Sequence, residues 1–290
     1  MKPRIALLCA VLSLACGQAW ALPIDIDGDL ADWGVKRTGQ ASDWTPHLGI
    51  QHSIEDQTGN ASVFLNPGWG GQSYDAEAIY TVIQGGQLFI ALATGHNPRT
   101  LHKPSANTYG AGDFAIDFGK DGVYELGINI KHVVHNDGTR ETFGVEGGVY
   151  RNPVWALGLF AEIDPDYPIT TAVKRPAYMT GGEYIGLADL AYTTVGAAGF
   201  GQYTRDLHYF YELALDLDLL RQAGWDGQDA MNIHWTMNCG NDSIWVDPPA
   251  HVPEPATIAL LPLGLLGMLA LRRRSQPGAD TLDGEGKTLA

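Results

Sequence analysis

The chain reads as a mainly β protein: a single antiparallel β-sandwich or jelly roll, followed by a C-terminal transmembrane helix. Three observations predict this. Apolar residues recur with a period of two in several runs, which is the spacing of a half-buried strand. Helical periodicity is poor, and glycine is abundant between the runs (36 residues). Near the end, Ala256 to Leu271 carries no charge and is followed at once by Arg272, Arg273 and Arg274.

The elements follow in order. Glu77 to Thr94 predicts two strands about a Gly85-Gly86 turn, because glycine pairs favour the positive-φ turns that close tight hairpins. Asp113 to Phe118 and Val123 to Ile130 predict a second hairpin about Gly119 to Gly122. His208 to Leu217 places Tyr209, Tyr211, Leu213, Leu215 and Leu217 on one face. Met231, Ile233, Trp235 and Met237 repeat that alternation. Leu217 to Gly224 predicts a short helix stopped by Gly224. No internal repeat or linker divides the body, so 22–247 is expected to be one β-sandwich domain.

Both ends read as addresses. Lys2 and Arg4 precede an apolar run, Ile5 to Leu14, and Ala19-Trp20-Ala21 is a small-residue cleavage site, so 1–21 predicts a signal peptide. Cys16 leaves a lipoprotein alternative. Residues 248–255 form a Pro-rich hinge containing Pro253-Glu254-Pro255. As a helix, 256–271 rises about 24 Å, short against a hydrocarbon core of about 30 Å, with the arginines reaching the headgroups. Three arginines on one flank favour the cytoplasmic side and leave the body outside the inner membrane. Residues 272–290 are a basic stop and a polar tail.

Composition bounds the partners. The net charge is −15, and the body is more acidic still, because Lys2, Arg4, Arg272, Arg273, Arg274 and Lys287 stand outside it. Such a surface repels nucleic acid and anionic lipid. Cys9 and Cys16 lie in the leader, so Cys239 stands alone in the body. No disulfide supports the fold, and Cys239 reads as a small buried residue.

Two constellations carry candidate chemistry. Asp25, Asp27 and Asp29 are spaced by two: in a loop they could converge on calcium, which takes six to eight oxygens, and in a strand they would share a solvated face. Asp117, Asp121 and Glu125 surround the second hairpin's tip as another calcium candidate, with Asp75 and Glu77 able to join either site. Trp44 and Trp69 stand in loop-like sequence, where rings are presented to the apolar faces of sugars. Trp235 reads as core, and Trp33 and Trp245 as closing the sandwich ends. Enzyme signatures are thin. Glu162, Asp164 and Asp166 lack the regular strand that paired glycosidase carboxylates need. His132 and His135 would point to opposite faces of a strand.

Two resemblances complete the reading. Pro253-Glu254-Pro255, the apolar stretch and Arg272-Arg273-Arg274 resemble the PEP-CTERM sorting signal, which implies an exosortase-type protease as partner and delivery to the surface of a biofilm-forming cell. The polar segment after Arg274 departs from that pattern. Ile24 to Trp33, with its Asp27-Gly28 and terminal tryptophan, resembles the opening of carbohydrate-binding family 9-like (DOMON-like) sandwiches. Tyr211 to Leu220 is similar to their late Y-x-x-E strand. The first implies export and surface sorting, and the second a sandwich fold rather than an activity. With the tryptophans and carboxylates above, the expectation is an exported, non-catalytic sandwich that binds exopolysaccharide, with calcium as the one cofactor to consider. The alternatives are a structural matrix protein without a discrete site and, behind it, a glycoside hydrolase.

Overall fold

Gly85 and Gly86 both adopt positive φ, +59° and +84°, so the chain reverses in two residues with a twist that suits its flanking strands. The hairpin they close is the centre of the first sheet in the computed structural model, which describes residues 23–56, 71–130, 143–158, 176–240 and 242–248. Its strands are β2 (Ala76–Gln84) and β3 (Gln87–Thr94). β1 (Gln51–Ile54) pairs outside β2. On the other side β3 pairs with β9 (Tyr209–Asp216), which pairs with β8 (Asp189–Tyr192). The order is β1-β2-β3-β9-β8, all antiparallel.

The second sheet has six strands in the order β11-β10-β4-β5-β6-β7. These are β4 (Phe114–Phe118), β5 (Leu126–Ile128), β6 (Gly148–Leu157), β7 (Pro176–Leu187), β10 (Met231–Thr236) and β11 (Ser243–Val246). Among the described residues one α-helix, α1 (Leu217–Gln222), leaves β9 where the period-two run ends. Among the described residues no helix is long and apolar enough to cross a membrane. The expected signal peptide (1–21) and the expected transmembrane helix (256–271) lie outside the described residues.

Two cores result. Between the sheets, Leu88, Ile90 and Leu92 of β3 and Tyr211, Leu213 and Leu215 of β9 meet Phe114 and Ile116 of β4 and Met231, Ile233 and Trp235 of β10. For β9 and β10 these are the phases the alternation assigned. The opposite phase of the five-stranded sheet is buried too. Ala78, Tyr80, Phe89, Ala91, Ala93, Phe210 and Ala214 pack against Leu30, Trp33, Val35, Trp44 and Ile50. The N-terminal segment therefore lies over the outer face of that sheet as a third layer. The alanines leave room for the indoles, so large and small residues interdigitate.

The sheets are also joined at their edges. Asp242, just before β11, accepts the Ala76 N–H at 2.6 Å, and the Ser53 hydroxyl of β1 donates to the Trp245 carbonyl of β11. β5 is shorter and starts later than the sequence predicts. Pairing stops at Ile116↔Leu126, and 119–125 form a loop rather than strand. The cause is polar. Asp117 accepts the N–H groups of Asp121 and Gly122, and Glu125 accepts that of Phe118, so side chains take the place of the ladder.

Candidate functional site

Trp44 is not a surface ring, which corrects the expectation for it. It is fully buried; its indole N–H donates to Asp56 at 2.8 Å, its face stacks on Phe200 at 5.7 Å, and its edge meets His208. Sequence-distant residues from 200–208 cover it, which local composition cannot reveal. Trp69 lies outside the described residues, as do His132, His135, Glu162, Asp164 and Asp166.

Asp25, Asp27 and Asp29 do not converge, which corrects the calcium alternative at those residues. They lie in exposed loop, and the Asp27 and Asp29 carboxylates are turned to local backbone. Asp27 accepts the Asp29 N–H, Asp29 accepts that of Ala31, and the Asp25 N–H donates to Asp32. What holds this segment is Glu212 of β9, on the outer face of its sheet. It accepts the N–H groups of Asp27 and Gly28 and the Trp33 indole N–H. Burial pushes Glu212 up to about 7 in spite of those bonds.

A candidate site lies at the β11 edge of the six-stranded sheet, where β1 adjoins it. On the six-stranded sheet, Trp245 is out of phase with the core residues Ile244 and Val246, so its ring projects outward. It is partly exposed and lines a cleft of about 410 Å³ with Gln51, His52, Ser53, Asn232 and Asp247. Asn232 donates to Asp247 at 2.9 Å, and Lys120 pairs with the other oxygen of that carboxylate. An apolar ring face beside amide, imidazole and carboxylate groups is the chemistry that holds a hydroxylated ring. The sequence signal, one tryptophan interrupting the apolar phase, is confined to the short run Ser243 to Asp247.

Beside the cleft, Asp117, Asp121 and Glu125 bring one oxygen each within 4.8 Å of one another. Asp117 is the register partner of Asn232, so tip and cleft occupy neighbouring strands on one face. Burial raises the Glu125 pKa, and the charges of Asp117 and Asp121 add to it. Asp75 and Glu77 join neither acidic site. Both are buried where the sheets meet. Glu77 lies 3.0 Å from His208 and 2.7 Å from the Gln72 amide. Burial, with the charges of Glu77 and Asp242 adding to it, holds the Asp75 carboxyl well above its usual value. Next to them, Gln72, Asn97, Arg205, Asp206 and Tyr209 line a polar cleft of about 400 Å³.

The described residues define a mainly β protein of two antiparallel sheets with a polar cleft beside Trp245. Comparison places the chain further: residues 251–274 match the model of the PEP-CTERM protein-sorting motif. That segment includes Pro253, Glu254, Pro255, Arg272, Arg273 and Arg274. The motif marks an exported exosortase substrate, anchored at the membrane before processing and sorted to the surface. No curated protein matches the chain, and no solved structure matches it.

Proposed function

We propose that the exported body is a non-catalytic binder of extracellular polysaccharide and that Trp245 is the centre of its site. The observation that carries this is the partly exposed indole set among Gln51, His52, Asn232 and Asp247. Stacking on the ring supplies affinity, and the polar groups orient hydroxyls. The resemblance of Ile24 to Trp33 to carbohydrate-binding sandwiches supports the same class, and Glu212 gives that segment a structural role. In this reading 256–271 spans the inner membrane until the exosortase-type protease cuts near Pro255.

The test is binding of full-length protein, purified in mild detergent, to exopolysaccharide from the producing strain, followed by tryptophan fluorescence. Trp245→Ala is expected to abolish saturable binding and Asn232→Ala to weaken it. Retention of full affinity by Trp245→Ala would sink the reading. The convergence of Asp117, Asp121 and Glu125 favours a second reading, a matrix protein bridged by calcium. That reading predicts self-association at millimolar calcium, lost in Asp121→Asn, with no glycan preference.

A further inference from the structure

Trp245 does not stand alone. Its ring centroid lies 5.1 Å from His234 of β10, His234 lies 5.9 Å from Tyr124, and Tyr124 lies 6.5 Å from Trp155 of β6. The Trp155 indole N–H points to the Tyr124 carbonyl at 3.5 Å. The row runs across the strands rather than along them. Between β10 and β6 the outward positions at this level are Ala115 of β4 and Gly127 of β5, aligned with His234 and with each other in register. Tyr124, from the β4–β5 loop, spans the gap those small residues leave.

Gly127 is required for this arrangement. A Cβ there would meet the Trp155 ring at 3.0 Å and the Met179 sulfur at 2.3 Å, so only glycine lets the indole lie low over the sheet. Trp245, Tyr124 and Trp155 are each partly exposed, and His234 fills the floor between the first two. From β11 to β6 is four strand intervals, about 19 Å at about 4.8 Å each. One interval is close to the length of a pyranose unit. The edge of the row carries Asp247, Asp121 and Glu125, with Lys120 already engaged by Asp247. An anionic chain would be repelled there.

We infer that the ligand is an uncharged, extended polysaccharide chain of several units laid across β11 to β6, from Trp245 over Tyr124 to Trp155. This rests on the Trp245 reading and adds length and charge selectivity to it. Each further ring contact contributes to affinity in the range of an aromatic stacking pair, so a second subsite corresponds to about tenfold.

The experiment titrates full-length protein in mild detergent with size-graded fragments of the strain's exopolysaccharide, from two to about six units, and with a polyuronate. Affinity is expected to rise about tenfold or more with fragment length and then level off, and the polyuronate is expected not to bind. Trp155→Ala should remove the gain with length while short fragments still bind, and Trp155→Phe should restore part of it. Trp245→Ala should weaken every length. Thermal unfolding of each variant separates loss of binding from loss of fold. Length-independent affinity that still needs Trp245 overturns this inference and leaves the cleft intact. Tighter binding of the polyuronate overturns the charge selectivity. Absence of binding to any fragment sinks both readings.

Discussion

The two outer faces of the sandwich are built from the same kinds of residue and end differently. On the five-stranded sheet, Tyr80 and Phe210 meet Trp33 and Trp44 beneath the N-terminal segment, and all four rings are buried. On the six-stranded sheet, Trp245, Tyr124 and Trp155 remain partly exposed. The covered face is closed by carboxylates as much as by apolar contact: Glu212 holds Trp33, Asp56 holds Trp44, and Asp43 ties Thr38, Gly39 and Gln40. A chain with one body cysteine and a large acidic excess fastens its loops with acceptors for N–H groups. Aromatic content alone therefore says nothing about binding. What decides is whether another segment supplies a lid with acceptors for the indoles.

Breaking the covered face should produce the largest effect. Trp44→Ala removes a buried ring and leaves Asp56 with one fewer donor, a loss of about 3–5 kcal/mol by denaturant unfolding, with glycan affinity of the folded fraction unchanged. Next is Glu212→Ala, which strands three donors and costs about 2–3 kcal/mol. Hydrogen exchange should show faster opening of 24–35 than of β3 and β10.

The pH dependence sharpens the same contrast. Glu212 and Asp113 are both pushed up by burial to about 7 in the folded state. A carboxyl group raised in this way favours folding while protonated. Its contribution is complete below its unfolded pKa near 4 and is lost as pH rises through about 7. Denaturant stability should therefore fall between pH 5 and pH 8, by an amount on the order of 3 kcal/mol. Glu212→Gln should flatten part of that slope. Asp43 opposes it at the acid end. Burial alone would raise it, but hydrogen bonds from Thr38, Gln40 and Gly39 hold it below its usual value, so its contribution disappears as pH falls through that lowered pKa. The smallest effect belongs to Arg151 and Glu183, an exposed ion pair between β6 and β7. Glu183→Gln should leave the unfolding midpoint within experimental error.

How much of this was legible in the sequence follows from the same physics. The β2–β3 hairpin, β4, β9 and β10 were readable because their alternation is strict and their turns carry glycine. β6 and β7 were not, since repeated register shifts around Asn152, Pro153, Gly181 and Gly182 break the period of two. The carboxylate tip could be read from spacing, because Asp117, Asp121 and Glu125 are close in sequence. Trp44 misled because Phe200 and His208, which cover it, are more than 150 residues away. Trp245 reads in the sequence as closing the sandwich's end, because a strand of four residues is too short to show its phase and the cleft partners Gln51, His52 and Asn232 come from two other strands.

The most direct test of the contrast is a paired measurement on Trp44→Ala and Trp245→Ala: unfolding free energy and exopolysaccharide affinity for each. The account predicts a large loss of stability with binding intact in the first. For the second it predicts lost binding with a stability change no greater than about 1 kcal/mol. If Trp245→Ala unfolds as readily as Trp44→Ala and the folded fraction still binds, the two faces are equivalent and the site is elsewhere.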